Sequence, residues 1–422
     1  MLKEATPAQL QQAVANNHKE LFCLNAQAQG GAVKETTGLT YTCAGKGLEA
    51  MVAFPALNEN NAAVQLDEMM AWYRQHLPKS IGCWSLDPPQ PADIGIRLLA
   101  RGFQPGWLPY WMALDLEAIQ TTYPTPDGLE IHPDNSTSLS NIKELPYAGS
   151  NGAVSPALIA AHPERVQRFV ATLHGKIVAQ SCVFFTTGEN GVAGLYNVGV
   201  VPPAREQGIG KAVVLAACQY AKTHGYRYAV LNGTGRRMYE QVGFKWIGDG
   251  RTWWLMNQQA LIHPPTPEQV AIAEAVGRGD ISTLQRFEQQ LSNPEWQGFL
   301  ANDMTLVQLA VHCGQPAAAG WLAEHHLPFT VLDAWDLHWE EKAAALLAAD
   351  PQEVNRQYGT GGTTLLHTAA ERNDTALARL AISAKPHLEI KDKIYNSTPL
   401  GWAQYMGRTE ITKIIQQYAE SK

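Results

Sequence analysis

The sequence predicts an α/β protein, a mixed sheet flanked by helices and built in two copies, followed by an all-α repeat solenoid. Three observations carry this. Residues 195–243 read strand, glycine-rich turn, helix, strand, helix. A Gly-Phe pair followed by an apolar run occurs twice, as Gly102-Phe103 before Tyr110-Trp111-Met112-Ala113-Leu114 and as Gly243-Phe244 before Trp253-Trp254-Leu255-Met256. Beyond His263-Pro264-Pro265-Thr266-Pro267 the pattern turns helical, and Thr364 and Thr398 open two similar passages 34 residues apart.

Residues 1–120 read as a degenerate copy of the later α/β pattern, since Leu98-Leu99-Ala100-Arg101-Gly102-Phe103 parallels Tyr239-Glu240-Gln241-Val242-Gly243-Phe244. Its turn region, Ala56-Leu57-Asn58-Glu59-Asn60-Asn61, has no glycine-rich loop, so ligand binding there is not expected. Residues 121–134, with Pro124, Pro126, Gly128 and Pro133, read as the connection. A hairpin is expected from Arg168-Phe169-Val170-Ala171-Thr172-Leu173 through His174-Gly175-Lys176 to residues 177–186.

The strand Leu195-Tyr196-Asn197-Val198-Gly199-Val200-Val201 stops at Pro202-Pro203, and Arg205-Glu206-Gln207-Gly208-Ile209-Gly210-Lys211-Ala212 opens a helix. Such a turn brings backbone N–H groups and a helix N-terminus to one small volume, which suits a pyrophosphate. Gly208 and Gly210 let the backbone approach phosphate oxygens where a Cβ would collide. The helix runs to about His224, with Val213, Ala217 and Ala221 on one face and Gly225 as its stop. A strand at 227–231 then ends at Asn232-Gly233, and a short helix carries Met238-Tyr239-Glu240-Gln241-Val242.

This ordered set resembles the GCN5-related N-acetyltransferase (GNAT) family. Arg205-x-x-Gly208-x-Gly210 is similar to that family's pyrophosphate-binding R/Q-x-x-G-x-G/A, and Met238-Tyr239-Glu240-Gln241-Val242-Gly243-Phe244 to its "l-Y-e-k-l-G-F" segment. The resemblance implies a GNAT-type mixed sheet, catalytic over 127–258, and acetyl-coenzyme A (acetyl-CoA) as co-substrate. Backbone groups of Val198, Val200 and Val201 would then hold the pantetheine arm. Amides of Arg205, Glu206, Gln207, Gly208, Ile209, Gly210 and Lys211 would hold the pyrophosphate. Asn232 would face the pantetheine or a water, and Tyr239 would protonate the departing thiolate, as a phenol within hydrogen-bond reach can.

Two departures stand out. Many relatives carry a glutamate on the cofactor strand as general base, whereas this strand offers Tyr196 and Asn197. Deprotonation would run through a water, through another residue such as Glu144, or an amine would arrive neutral, and the residues do not choose among these. Glu206 sets a carboxylate where phosphates are expected, which is unfavourable unless it points outward, and Ala204 replaces a commonly aromatic position.

In residues 266–422, Gly362-Thr363-Thr364-Leu365-Leu366-His367-Thr368-Ala369-Ala370 and Asn396-Ser397-Thr398-Pro399-Leu400-Gly401-Trp402-Ala403 resemble the ankyrin T-P-L-H-x-A signature. Weaker copies lie at Thr305-Leu306-Val307-Gln308-Leu309-Ala310 and Ala275-Val276-Gly277-Arg278-Gly279-Asp280, and a shortened one around 335–350. About five repeats are expected, with breaks near Gly279, Gly314, Asn373 and Gly407. By this resemblance His367 is structural, and the repeats would recruit a protein partner. Trp335 and Trp339 share a helical face, serving either the inter-repeat core or a partner surface.

Composition sets limits. With 45% hydrophobic and 17% charged residues over 422 positions, the chain suits a soluble protein of two or three domains. A net charge of −7 argues against nucleic acid as partner. Six cysteines without Cys-x-x-Cys spacing read as reduced thiols, no metal-ligand constellation is visible, and no apolar stretch suits a membrane span or signal peptide. The expected location is the cytoplasm. The expected function is an acetyl-CoA-dependent N-acetyltransferase acting by direct attack of a protein or small-molecule amine. The alternative is a catalytically inactive acyl-CoA-sensing or ankyrin-based interaction module.

Overall fold

The computed structural model describes residues 1–119, 123–142, 144–149, 152–291, 300–359 and 361–421. Thr121, at the head of the expected connection, lies outside them. The chain divides into two compact units, Met1–Pro264 and Pro265–Lys422. No described helix is long and apolar enough to cross a membrane.

The first unit opens with α1 (Pro7–Ala28), begun by a capping box between Thr6 and Gln9. Its buried residues Leu10, Ala13, Val14, Asn17, His18, Leu21 and Phe22 recur at helical spacing and turn one stripe toward the sheet. There follow β1 (Ala32–Thr36), β2 (Leu39–Cys43), β3 (Glu49–Ala53), α2 (Ala62–His76), β4 (Ser80–Leu86), α3 (Ile94–Ala100), β5 (Gln104–Pro105), β6 (Tyr110–Asp115) and β7 (Leu129–Pro133). Then come α4 (Pro156–Ala161), β8 (Val166–Leu173), β9 (Lys176–Phe185), β10 (Ala193–Val200), α5 (Ile209–Thr223), β11 (Tyr228–Asn232), α6 (Arg236–Val242), β12 (Lys245–Leu255) and α7 (Gln259–Ile262). The predicted hairpin is β8–β9, closed by His174 and Gly175 at positive φ.

The strands order as β1-β2-β3-β4-β12-β6-β11-β10-β9-β8-β7, with β5 also on β12. The last strand of each half crosses to the other. β6, from the first 120 residues, pairs with β11 from Tyr228↔Asp115 to Asn232↔Trp111. β12 spends Lys245 to Asp249 on β6 and Gly250 to Leu255 on β4, shifting register between Trp246 and Gly248. The chain therefore passes from residues 1–120 to 127–258 within one sheet, rather than closing one sheet and starting another.

The two faces of this sheet carry separate cores. One sets Leu195, Ala229 and Leu231 against Val213, Ala217 and Val242 of α5 and α6. The other sets Trp84, Trp111, Val230 and Ile247 against Leu10, Val14 and Phe22 of α1.

The second unit is helical: α8 (Pro267–Arg278), α9 (Ile281–Arg286), α10 (Glu288–Leu291), α11 (Leu306–His312), α12 (Pro316–Glu324), α13 (Val331–Asp336), α14 (Glu340–Ala349), α15 (Leu365–Arg372), α16 (Thr375–Ser383), α17 (Pro399–Tyr405) and α18 (Thr409–Glu420). Threonine caps α8, α11, α13, α15 and α17, through Thr266, Thr305, Thr330, Thr364 and Thr398. The helices after the first four of these follow left-handed residues at Gly279, Gly314, His338 and Asn373. His367 Nδ1 lies 2.9 Å from the Thr364 hydroxyl, and its Nε2 3.0 Å from the Ser397 carbonyl, so this imidazole ties α15 to the approach to α17. Trp335 donates to Asp374 at 2.8 Å, Trp339 stacks on Phe329, and both indoles pack against the unit's core.

Candidate active site

β10 and β11 run parallel, yet pair only at Ala193↔Ala229 and Gly194↔Val230. Beyond Gly194 the strands part, so the edge of β10 that faces β11 is left without a strand beside it. A register shift between Tyr196 and Gly199 on the β9 side bends β10 at the same level, with Asn197 at φ 50°. The bend is held from outside, since the Asn197 amide donates to the Val154 carbonyl at 2.9 Å. Gln180 donates to the Pro146 carbonyl at 2.7 Å, which seats that proline beside Gly199. A strand with an open edge can receive an extended ligand as an added partner.

At the head of this gap β10 runs through Pro202–Ala204 into α5. Gly208, at φ 84°, caps the helix in the left-handed region, and the Pro124 carbonyl lies closer to it than a Cβ could approach. Gly210 differs: a Cβ there would meet only Val200, at an ordinary 3.6 Å. Among the described residues, the backbone N–H groups from Glu206 through Lys211 have no protein acceptor, and Ala212 makes the first bond of the helix, to Gly208. Unpaired donors on consecutive residues at the positive end of a 15-residue helix form an anion cradle. Glu206 is exposed, as an acidic residue beside such a cradle must be.

The sequence-predicted residues divide by what the fold leaves them free to do. The Arg205 N–H already bonds Pro202, and its side chain folds back on the Val200 carbonyl at 3.1 Å. The Val201 N–H is taken by the Val178 carbonyl at 2.9 Å. Val198 falls in the register shift, outside the β9 ladder. Asn232 accepts from the Tyr110 N–H at 3.1 Å, which leaves its amide N–H groups for another partner. Gln207 bonds the Pro203 carbonyl, and the Lys211 ammonium lies 5.6 Å from the centre of the Tyr123 ring.

Tyr239 on α6 packs edge-on against Phe244, with ring centres 5.9 Å apart. Its hydroxyl makes no hydrogen bond among the described residues, although the ring is buried. Burial, with Tyr147 and Cys218 nearby, holds the phenol well above its ordinary value, so it keeps its proton near neutrality.

The first half lacks each of these features. β3 and β4 stay paired from Glu49↔Ser80 to Ala53↔Trp84, and an Ala56↔Gln90 bridge closes them further on. The N–H groups of Asn58, Asn60 and Asn61 are consumed by asparagine side chains of the same turn. The absent glycine-rich loop thus coincides with an absent gap.

Sequence reasoning missed the surroundings of Tyr196. Its phenol lies 2.6 Å from Asn17 Oδ1 and 3.0 Å from His18 Nδ1, both on α1. The available signal was a polar pair set in the apolar stripe of α1, where core positions are expected.

Residues 137–244 match the sequence model of the acetyltransferase (GNAT) family. Among solved structures, the chain is similar to a GCN5-related N-acetyltransferase from Kribbella flavida, at 14% identity over 56% of this chain and 94% of that one, with a TM-score of 0.43. It is also similar to a tandem GNAT protein from the clavulanic acid biosynthesis pathway, at 15% identity over 57% and 94% with a TM-score of 0.40. A GCN5-related N-acetyltransferase from Sphaerobacter thermophilus gives 15% identity over 60% and 94%, with a TM-score of 0.39. A comparison with curated proteins gave no match.

Proposed function

We propose that this chain, whose residues 137–244 match the GNAT family model, is an acetyl-CoA-dependent N-acetyltransferase that acylates a primary amine by direct attack. The observation that carries the reading is the row of unpaired N–H groups from Glu206 through Lys211, set at the head of the gap between β10 and β11. These donors and the α5 N-terminus fit a pyrophosphate, and the open edge of β10 around Val198 fits the amides of a pantetheine arm. Acetyl-CoA supplies the activated thioester. Asn232 offers its amide N–H groups to the pantetheine or a water. Tyr239, protonated and without a hydrogen-bond acceptor among the described residues, is the acid for the departing thiolate.

The helical unit would serve as an ankyrin-type surface that recruits a protein, either the acceptor or a regulator. The threonine-capped helix pairs and the His367 tie between them support that reading.

Titration calorimetry of acetyl-CoA into the protein and into a Gly210→Leu variant tests the cofactor site. The leucine side chain would crowd the cradle from a position where a Cβ meets only ordinary contact with Val200. Tight binding lost in the variant supports the reading, and no binding to the folded wild type refutes it. The second reading, an inactive acyl-CoA sensor, draws on Tyr196 and Asn197 standing where a base is expected, with Asn197 already spent on Val154. Tight binding with no release of free thiol across a panel of amines and proteins would favour the sensor.

A further inference from the structure

His18 is a buried imidazole set over the opening between β10 and β11. Continuing the register of Ala193↔Ala229 and Gly194↔Val230 places Tyr196 level with Asn232 across the gap. Asn232 in turn pairs with Trp111 of β6. The His18 ring centre lies 5.0 Å from that of Tyr196 and 5.0 Å from that of Trp111. The ring therefore spans from β10 to β6, past the level where β11 and β10 part, on the sheet face opposite α5 and its cradle.

The hydrogen bonds assign its tautomer. Nδ1 lies 3.2 Å from the Val14 carbonyl, which can only accept, so Nδ1 carries the hydrogen. The Tyr196 hydroxyl has its own acceptor in Asn17 Oδ1. Nε2 is left with the lone pair and no hydrogen-bond partner among the described residues. The rings of Phe54, Trp84 and Trp111 wall the imidazole, and the indole N–H groups of Trp84 and Trp111 are themselves buried without acceptors. Burial pushes the imidazole down to about 4, with the Val14 carbonyl opposing, so the ring is neutral and the Nε2 lone pair stays unprotonated in the free protein.

We propose that His18, contributed by the first half of the chain, is the proton acceptor for the incoming amine. The assignment rests on the acetyltransferase reading above. The amine nitrogen attacks the thioester carbonyl carbon, the N–C bond forms, and the carbonyl π pair moves to oxygen. The proton released from nitrogen passes to His18 Nε2. Collapse of the tetrahedral species breaks the C–S bond, and Tyr239 gives its proton to the thiolate sulfur. The proton on His18 then leaves to water, and water restores the Tyr239 phenol. The products are an amide and free coenzyme A. The degenerate half, which has neither gap nor cradle of its own, thereby completes the site of the other half.

The test needs no acceptor. Bromoacetyl-CoA and 3-bromopropionyl-CoA carry electrophilic carbons one and two bonds beyond the carbonyl. With either bound, the Nε2 lone pair forms an N–C bond as the C–Br bond breaks and bromide leaves. Peptide mapping should place the adduct on His18, and His18→Gln should lose it while acetyl-CoA affinity stays within twofold. If both reagents bind and neither labels His18, or the label goes to Cys182 or Tyr239, the assignment falls and the cofactor site stands. If neither reagent nor acetyl-CoA binds the folded wild type, the acetyltransferase reading falls, and this assignment with it.

Discussion

The Tyr196 phenol lies 3.0 Å from Nδ1 of His18, 178 residues away along the chain. This contact joins the strand that borders the gap to the first helix of the molecule. Asn17, beside His18, completes the tie by accepting from the same phenol. Removing the hydroxyl leaves a buried amide oxygen without its donor, a loss that typically costs about 1–3 kcal/mol. Tyr196→Phe should lower the unfolding free energy by that amount, read as a lower urea midpoint with the m-value unchanged, and an unchanged midpoint would mean the network is filled some other way.

His18 makes stability depend on pH. Its folded-state value is depressed from 6.5 to about 4, so the stabilisation is present above 6.5 and lost as pH falls from 6.5 toward 4. The loss amounts to about 3 kcal/mol if the unfolded value is ordinary. The only titratable partner of the ring among its described contacts is Tyr196, which stays neutral throughout this window because burial raises its phenol. Unfolding free energies measured at pH 7 and 4.5 should differ by less in His18→Gln than in the wild type.

Gly208 and Gly210 should respond oppositely to alanine. At Gly208 the backbone is left-handed and the Pro124 carbonyl fills the Cβ position, so Gly208→Ala should cost at least about 1 kcal/mol. At Gly210 the Cβ has room inside a helix, where alanine is favoured over glycine by up to about 1 kcal/mol. Thermal midpoints should fall for the first and hold or rise for the second.

Tyr239→Phe separates binding from chemistry. The hydroxyl has no hydrogen-bond partner among the described residues to lose, so folding and acetyl-CoA affinity should hold within twofold. Acetyl transfer should fall by roughly 100-fold or more, the usual share of a general acid. Equal rates in single-turnover assays would assign the thiolate's proton to another group.

In the second unit, His367→Ala removes both the Thr364 partner and the tie to the Ser397 carbonyl. It also empties a fully buried side-chain volume. A loss of about 2–4 kcal/mol is expected, by analogy with large-to-small core changes, read as a lower urea midpoint for the isothermal transition of this unit.

Much of the gap-bordering half was legible because its signals are local. The turn at Arg205 to Lys211 and the helix stop at Gly243 each depend on residues within a few positions, where backbone sterics leave few choices. The lack of a glycine-rich loop at Ala56 to Asn61 is equally local, and the structure adds that its asparagines consume the N–H groups of Asn58, Asn60 and Asn61. What no local reading could give is which backbone groups are already engaged: the Arg205 N–H bonds Pro202, the Val201 N–H bonds Val178, and the Val200 carbonyl accepts from the Arg205 side chain.

The sequence by itself determined the strand, glycine-rich turn and helices of residues 195–243, the β8–β9 hairpin and the helical character beyond Pro267, because each is set by covalent geometry and near-neighbour hydrogen bonds. The tertiary structure alone decided that β6 and β12 would cross between the halves, that β10 and β11 would part after two pairs, and that His18 would lie over the opening. Strand partners are chosen by burying apolar faces over long loops, a competition among non-local contacts that no single segment records. The residue placed opposite the cradle therefore comes from the far end of the chain.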